Sequence, residues 1–198
     1  RIGSLDNPDR VAADDFNREQ FDEAMSIIHM ALDQDTFAFH GNQFDFPTAG
    51  IPDRGGFVEE LTLVPRPLYP YETWQAITSP PSLRQVPQAG WGGVFWNNHH
   101  SFIRSRWEQF AETWAEAHGR ELERGEHRQL VLCTRVEDTH EQAVNAVRNG
   151  HDEFWKFLGP YGWSKGYMGP DGKPAKPGLI PTLEESIDTQ TWGVGTAE

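Results

Sequence analysis

Internal disulfides are excluded, because the chain holds a single cysteine, Cys133. It sits in "RQLVLCTRV", where a small buried apolar residue is expected, and a reducing cytoplasm suits such cysteine usage. Long apolar runs are missing as well. None approaches the ~20 residues needed to cross a bilayer, so no membrane partner is expected. Basic residues are few and scattered. Lys and Arg number 17 against 30 Asp and Glu, giving a net charge of -13. A field of that sign repels phosphate backbones, so nucleic acid is not an expected partner either. The chain has no Gly-rich dinucleotide fingerprint and no serine-nucleophile elbow. Its histidines lack the His-x-x-x-His and His-Glu-x-x-His spacings of metal sites, so no metal is expected. Asp and Glu are plentiful, but none stands at a strand end as a clear acid–base pair, which weighs against a carboxylate hydrolase.

What is present reads as one globular domain. Hydrophobic residues make up 37% and charged residues 24% of 198, above the range of disordered chains. The opening "RIGSLDNPDRVAADDF" is polar and reads as a loop. Asn17 can cap a helix running to about Asp33, with Phe21, Ala24, Met25, Ile28 and Leu32 on one apolar face. "TFAFHGNQFDF" alternates about Gly41-Asn42 and predicts a β-hairpin over 37–46. Residues 47–60 read as loop. "ETWQAIT" is a short apolar strand ending in "SPPS". A short helix over 82–88 follows, kinked or ended by Pro87.

"GGVFW" is another buried strand. "HHSFIRSRWEQFAETWAEAHG" is the clearest helix, with Phe102, Ile103, Trp107, Phe110, Trp114 and Ala117 as its stripe and Gly119 as its stop. "HRQLVLCTRV" predicts a strand. A helix capped by Asp138 or Thr139 comes next, extended or restarted by "HDEFWKFL". Residues 159–181 hold five Pro and six Gly and read as an excursion, a lid or a subunit contact. A short helix from Thr182 and a strand at "TWGVGTAE" end the chain. Alternating short apolar strands and helices predict an α/β fold with parallel pairing and right-handed crossovers. Four such strands leave raw edges. The expectation is therefore a single domain over 1–198 cut from a larger fold at both ends, which the opening Arg1 in place of Met also suits.

"VPRPLYPYETWQAITSPPSLRQVPQAGWGGVFW" resembles the middle of the luciferase-like flavin-dependent monooxygenases. That family has a Pro-rich approach, a strand of the form Pro-x-Trp-x-Ala-x-Ser-Pro-x-Ser, a helix, a Gly and another short strand. "REQFDEAMSIIHMAL" with the Phe-x-x-His-Gly-x-x-Phe hairpin resembles the segment before it. "RVEDTHEQAVNAV" and "TWGVGTAE" resemble later parts of the same barrel, in order. The resemblance implies an incomplete (β/α)8 TIM-barrel type fold, made of the C-terminal strands and helices only. It implies FMN as cofactor, with a deazaflavin as the other choice. It also implies an organic substrate, O2 and a homo-oligomer. Much of the ring pocket and a catalytic histidine would lie on strands outside these residues, so the resemblance assigns no catalytic residue here.

"TSPPS" puts three hydroxyls at the carboxyl end of a strand, just before a helix, on the face where barrels of this class bind ligands. The family resemblance makes Thr78, Ser79 and Ser82 candidates for the flavin phosphate. Alternatively, these hydroxyls simply cap the helix. Arg1 falls about where the family places a phosphate-clamping arginine, although a first residue is equally a frayed terminus. Asn97, Asn98, His99 and His100 end the next strand on the same face. They contact phosphate, ribityl or substrate, or else one histidine caps the helix and the other is solvated. His29 and His118 read as structural, the latter at a helix C-terminus that suits it. Two functions compete. The first is a monooxygenase in which reduced flavin and O2 oxygenate a substrate in a dry pocket. The second is a non-catalytic flavin-binding or degenerate barrel subunit that pairs with a complete chain.

Overall fold

The computed structural model describes residues 8–96, 98–161 and 180–197. The chain divides into two compact units, Arg1–Tyr71 and Glu72–Glu198.

The first unit is built on α1, Pro8–Asp33. Residues 8–16, read from sequence as loop, are helical. Pro8 opens the helix, where a missing N–H costs nothing. The expected apolar face is not buried: Phe21 and Ile28 are exposed. Strands β1 (Phe39–His40) and β2 (Asp45–Phe46) pair antiparallel as a hairpin, in a sheet of their own. The 47–60 segment is not all loop. β3 (Pro52–Asp53) and β4 (Gly56–Phe57) form a second hairpin, turned at Gly55 with φ +99°, a conformation in which a side chain is strained.

One carboxylate ties the first hairpin to the helix. Glu23 of α1 accepts the backbone N–H groups of Asn42, Gln43 and Phe44 at 2.8, 2.9 and 3.0 Å. Desolvation pushes its pKa up, but the three donors outweigh it and hold the group below the usual carboxylate value. Tyr71 donates its hydroxyl to Asp33 at 2.7 Å, and desolvation with that carboxylate pushes the phenol up to about 12.

The second unit alternates strand and helix. It runs β5 (Trp74–Ala76), α2 (Pro80–Gln88), β6 (Gly92–Trp96), α3 (His100–His118), β7 (Arg128–Val131), β8 (Cys133–Val136), α4 (His140–Leu158), α5 (Leu183–Asp188) and β9 (Trp192–Gly195). β5, β6 and β7 form one parallel sheet in that order, and β8 pairs in parallel with β9. The strand expected over 129–136 is broken at Leu132, so its first half pairs with β6 and its second half with β9. Helix α2 begins two residues earlier than expected, at Pro80. The 159–181 excursion is described only at its ends, and 162–179 lie outside the described residues. Cys133 is half-buried rather than buried. Among the described residues no helix is long and apolar enough to cross a membrane.

The core lies on the helix side of the sheet. Phe95, Phe110 and Val86 are fully buried, with Leu83, Ile103 and Trp114 around them. Ala117, expected on this stripe, is exposed. Gly93 shares the buried face with Phe95, and the close approach there requires glycine. A Cβ at 93 would stand 2.8 Å from the Phe110 ring and 3.0 Å from the Phe95 ring.

The opposite face is not covered. Trp74, Ala76, Trp96 and Val131 are exposed there and Val94 is half-buried. The described strands close no barrel.

Gly93→Ala tests the core. The added methyl has rings on two sides, so the substitution should cost about 1–3 kcal/mol. Urea denaturation would read this as a lower midpoint with unchanged slope, whereas Gly119→Ala, in open space with φ +68°, should act only through its backbone strain.

Candidate functional site

Two strand-to-helix junctions carry the candidate residues, and in both the local chemistry begins with helix capping. A helix start leaves its first N–H groups without intrahelical partners, and short polar side chains satisfy them. At the first junction Ser79 is the cap of α2. Its Oγ accepts the Ser82 N–H at 3.4 Å. The Ser82 hydroxyl accepts the Ser79 N–H at 3.1 Å and donates to the Ser79 carbonyl at 2.8 Å. The two hydroxyls are 3.2 Å apart. Sequence reasoning expected them to be close, and they are. Ser82 is buried, Ser79 half-buried and Thr78 exposed.

The first turn of α2 has little backbone to offer an anion. Pro80 and Pro81 have no N–H. The Ser82 N–H goes to Ser79 Oγ, and the Leu83 N–H goes to the Ser79 carbonyl at 3.1 Å. An anion here would meet hydroxyls and the positive end of the helix dipole, not a cradle of amides. Thr78 makes no hydrogen bond among the described residues, so its hydroxyl is the available donor.

At the second junction His99 is the cap of α3. Its Nδ1 accepts the Ser101 N–H at 3.2 Å and lies 2.7 Å from the Ser101 hydroxyl. A backbone N–H can only donate, so in the neutral ring the proton is on Nε2. His99 is buried, and His100 stacks on it with ring centroids 4.3 Å apart. Burial, and then the charge of His100, hold His99 below the ordinary histidine value. His100 is exposed, with its N–H directed at the Thr189 carbonyl at 3.4 Å. His99 thus caps α3, and the His100 beside it is exposed. Asn97 and Arg1 lie outside the described residues.

The remaining histidines follow the structural reading. His118 bonds the Pro87 carbonyl at 2.8 Å, and His29 bonds the Tyr71 hydroxyl at 3.1 Å. His151, which sequence reasoning did not single out, is fully buried against the Ser186 hydroxyl at 3.0 Å. No local pattern announces that pair, because 35 residues separate its members. Among the described residues no group of three His, Cys, Asp or Glu side chains could hold a metal ion.

Parallel strands, of which β5, β6 and β8 are each followed by a helix, with polar residues at the carboxyl ends of β5 and β6, define an open α/β assembly of the type that binds ligands beyond those ends. No family model matches the chain, and no curated protein matches it in sequence. Among solved structures, the chain is similar to the oxygenating constituent of 3,6-diketocamphane monooxygenase from the CAM plasmid of Pseudomonas putida. That protein is a type II Baeyer-Villiger monooxygenase solved in complex with FMN. The TM-score is 0.56 at 20% identity over 92% of this chain. The chain spans about half the length of that protein, 50%. At this identity the likeness shows the fold.

His99 makes stability pH-dependent. Its pKa is lower in the folded state than in the unfolded chain, so the folded state binds fewer protons. Stability is then full above the unfolded value and falls as pH drops through the histidine range. Asn keeps the cap without the titration. In urea titrations at successive pH values, His99→Asn should lose less stability than the parent on going from neutral to mildly acidic pH.

Proposed function

We propose that this chain is the C-terminal part of a flavin-dependent monooxygenase of the luciferase-like type, an incomplete (β/α)8 barrel that uses FMN, O2 and an organic substrate. The observation that carries this reading is the fold likeness to an FMN-bound oxygenating protein over 92% of the chain. The resemblance of "TSPPS" and its flanks to the luciferase-like monooxygenases points the same way.

The residues fit the phosphate end of FMN through hydroxyls. Thr78 and Ser79 stand at the carboxyl end of β5, at the positive end of α2. Turning the Ser79 hydroxyl outward would release the Ser82 N–H, so Thr78 is the readier donor. Arg1, Asn97 and His99 are further candidates of this reading. Trp74 and Trp96 offer flat apolar surface on the inward face, as a ring system requires. Bound reduced flavin would supply the activation of O2. This chain's own contribution is to hold the phosphate, orient the ring and exclude water. A deazaflavin shares the phosphate end and would meet the same hydroxyls. The exposed inward face also favours the second reading, a flavin-binding or degenerate subunit that works against a complete chain.

Thr78→Ala with Ser79→Ala should weaken FMN binding about tenfold or more, since each hydroxyl lost to an anion removes a charge-assisted bond. Riboflavin, without the phosphate, should bind the variant and the parent alike in fluorescence titrations. Equal losses for both ligands would mean that the hydroxyls serve the fold alone.

Parallel sheets occur with both faces covered. The uncovered face of Trp74, Ala76, Trp96 and Val131 should therefore drive association. Sedimentation velocity should show a concentration-dependent oligomer. A cooperative, well-folded monomer at low concentration would refute the half-barrel reading.

A further inference from the structure

A cleft of about 760 Å³ opens between α3 and the turn that joins α5 to β9, within the size range of small-molecule sites. Leu130 is part of its floor. Leu130 stands in register beside Phe95, whose ring belongs to the helix-side core. In-register neighbours point the same way, so the cleft lies outside the sheet. It is on the opposite face from Trp96 and apart from the Thr78–Ser79 junction.

The cleft is apolar within and basic at its edge. Leu130, Leu132, Ile187 and Val194 line it, with the indoles of Trp107 and Trp192. Both indole N–H groups are buried without a hydrogen-bond partner. Those nitrogens are closed off from the cleft, so the indoles offer it apolar ring surface. Arg128 spends its N–H groups on the carbonyls of Glu123, Glu126 and Trp107 at 2.7, 3.2 and 3.4 Å. Those bonds fix its positive charge at the wall. Arg104 is exposed at the rim and makes no hydrogen bond or ion pair among the described residues. Glu108, one turn further along α3, is the one carboxylate in the lining. A chain of net charge -13 thus presents two guanidinium groups against one carboxylate here.

We propose that this cleft is a second ligand site, for an apolar carboxylic acid. The hydrocarbon lies along Leu130, Leu132 and Val194, and the carboxylate takes the free Arg104 fork, a geometry suited to bidentate pairing. Glu108 in the lining disfavours a dianion, so a singly charged head is selected over a phosphate monoester. Asn98 and His100 of the second junction also line the cleft, but the Arg104 end and the apolar wall are no part of the flavin reading.

Titration calorimetry with dodecanoate, and with dodecanol as its uncharged twin, tests this on the full chain. Dodecanoate should bind saturably and more tightly than dodecanol. Arg104→Ala should weaken dodecanoate about tenfold, equivalent to about 1.4 kcal/mol, and leave dodecanol and FMN unchanged. Leu130→Asp should abolish binding of both amphiphiles. The Leu130 side chain is already 42% exposed, and circular dichroism would check that the variant folds. If it does not, the Arg104→Ala comparison decides alone. No saturable heat with dodecanoate, or the same response of both amphiphiles to Arg104→Ala, would overturn the proposal. Loss of FMN binding alone would count against the flavin reading and leave this one standing.

Discussion

Strand β6 organises the second unit because it is paired on both edges, in parallel, with β5 on one side and β7 on the other. Parallel strands cannot be joined by a tight turn, so each connection must leave the sheet and return through a helix. That requirement places α2 and α3 on one face and forces Gly93 and Phe95 to look toward them. The glycine lets Phe110 approach the strand, and the phenylalanine fills the space between the helices. The alternation that buries Phe95 sends Val94 and Trp96 the other way. One strand therefore produces both the packed core and the uncovered aromatic face.

The break at Leu132 has a similar consequence. Residues 128–136 run as one line of chain, but β7 and β8 serve different neighbours. Val131 is level with Trp96, and Cys133 is level with Trp192. The carboxyl end of β6 is thereby level with the start of β9, and His100 reaches the Thr189 carbonyl. Such stagger along neighbouring strands is what a sheet needs before it can close on itself. It supports the barrel reading from geometry, beside the likeness to a solved fold.

Much of this was legible in the sequence, for physical reasons that differ by element. The helix over 100–118 was clear because its apolar spacing, its histidine cap and Gly119 all agree. Short strands such as Trp74–Ala76 were legible because an apolar run between turn residues has few alternatives. The start of α1 reads as loop because the polar and turn residues of the opening outweigh the alanines of "VAADD", which by themselves favour helix. Pro8 suits a first turn. The second hairpin was hidden in a Pro- and Gly-rich stretch that names a turn without its strands. The Glu23 staple could not be read at all: a carboxylate on a helix meets amides some twenty residues later, and only tertiary geometry joins them. At the first candidate junction the sequence shows the hydroxyls, but the loss of amides at the two prolines beside them is plain only once the helix start is placed at Pro80.

That removal decides how a phosphate could be held. In an amide cradle the donors are fixed by the backbone, and binding costs little reorganisation. At Ser79 and Ser82 the donors are hydroxyls already engaged with each other and with the helix cap. The buried Ser82 hydroxyl bonds both the N–H and the carbonyl of Ser79, but the Ser82 N–H loses its cap if the Ser79 hydroxyl rotates away. Thr78, exposed and uncommitted, needs no such exchange. The affinity available here is the gain from a charge-assisted bond less the loss of a neutral one, a smaller difference than amides would give. An anion bound at this junction therefore needs further donors from beyond these three residues. That need fits a site completed by other strands better than one that β5 and α2 could build alone.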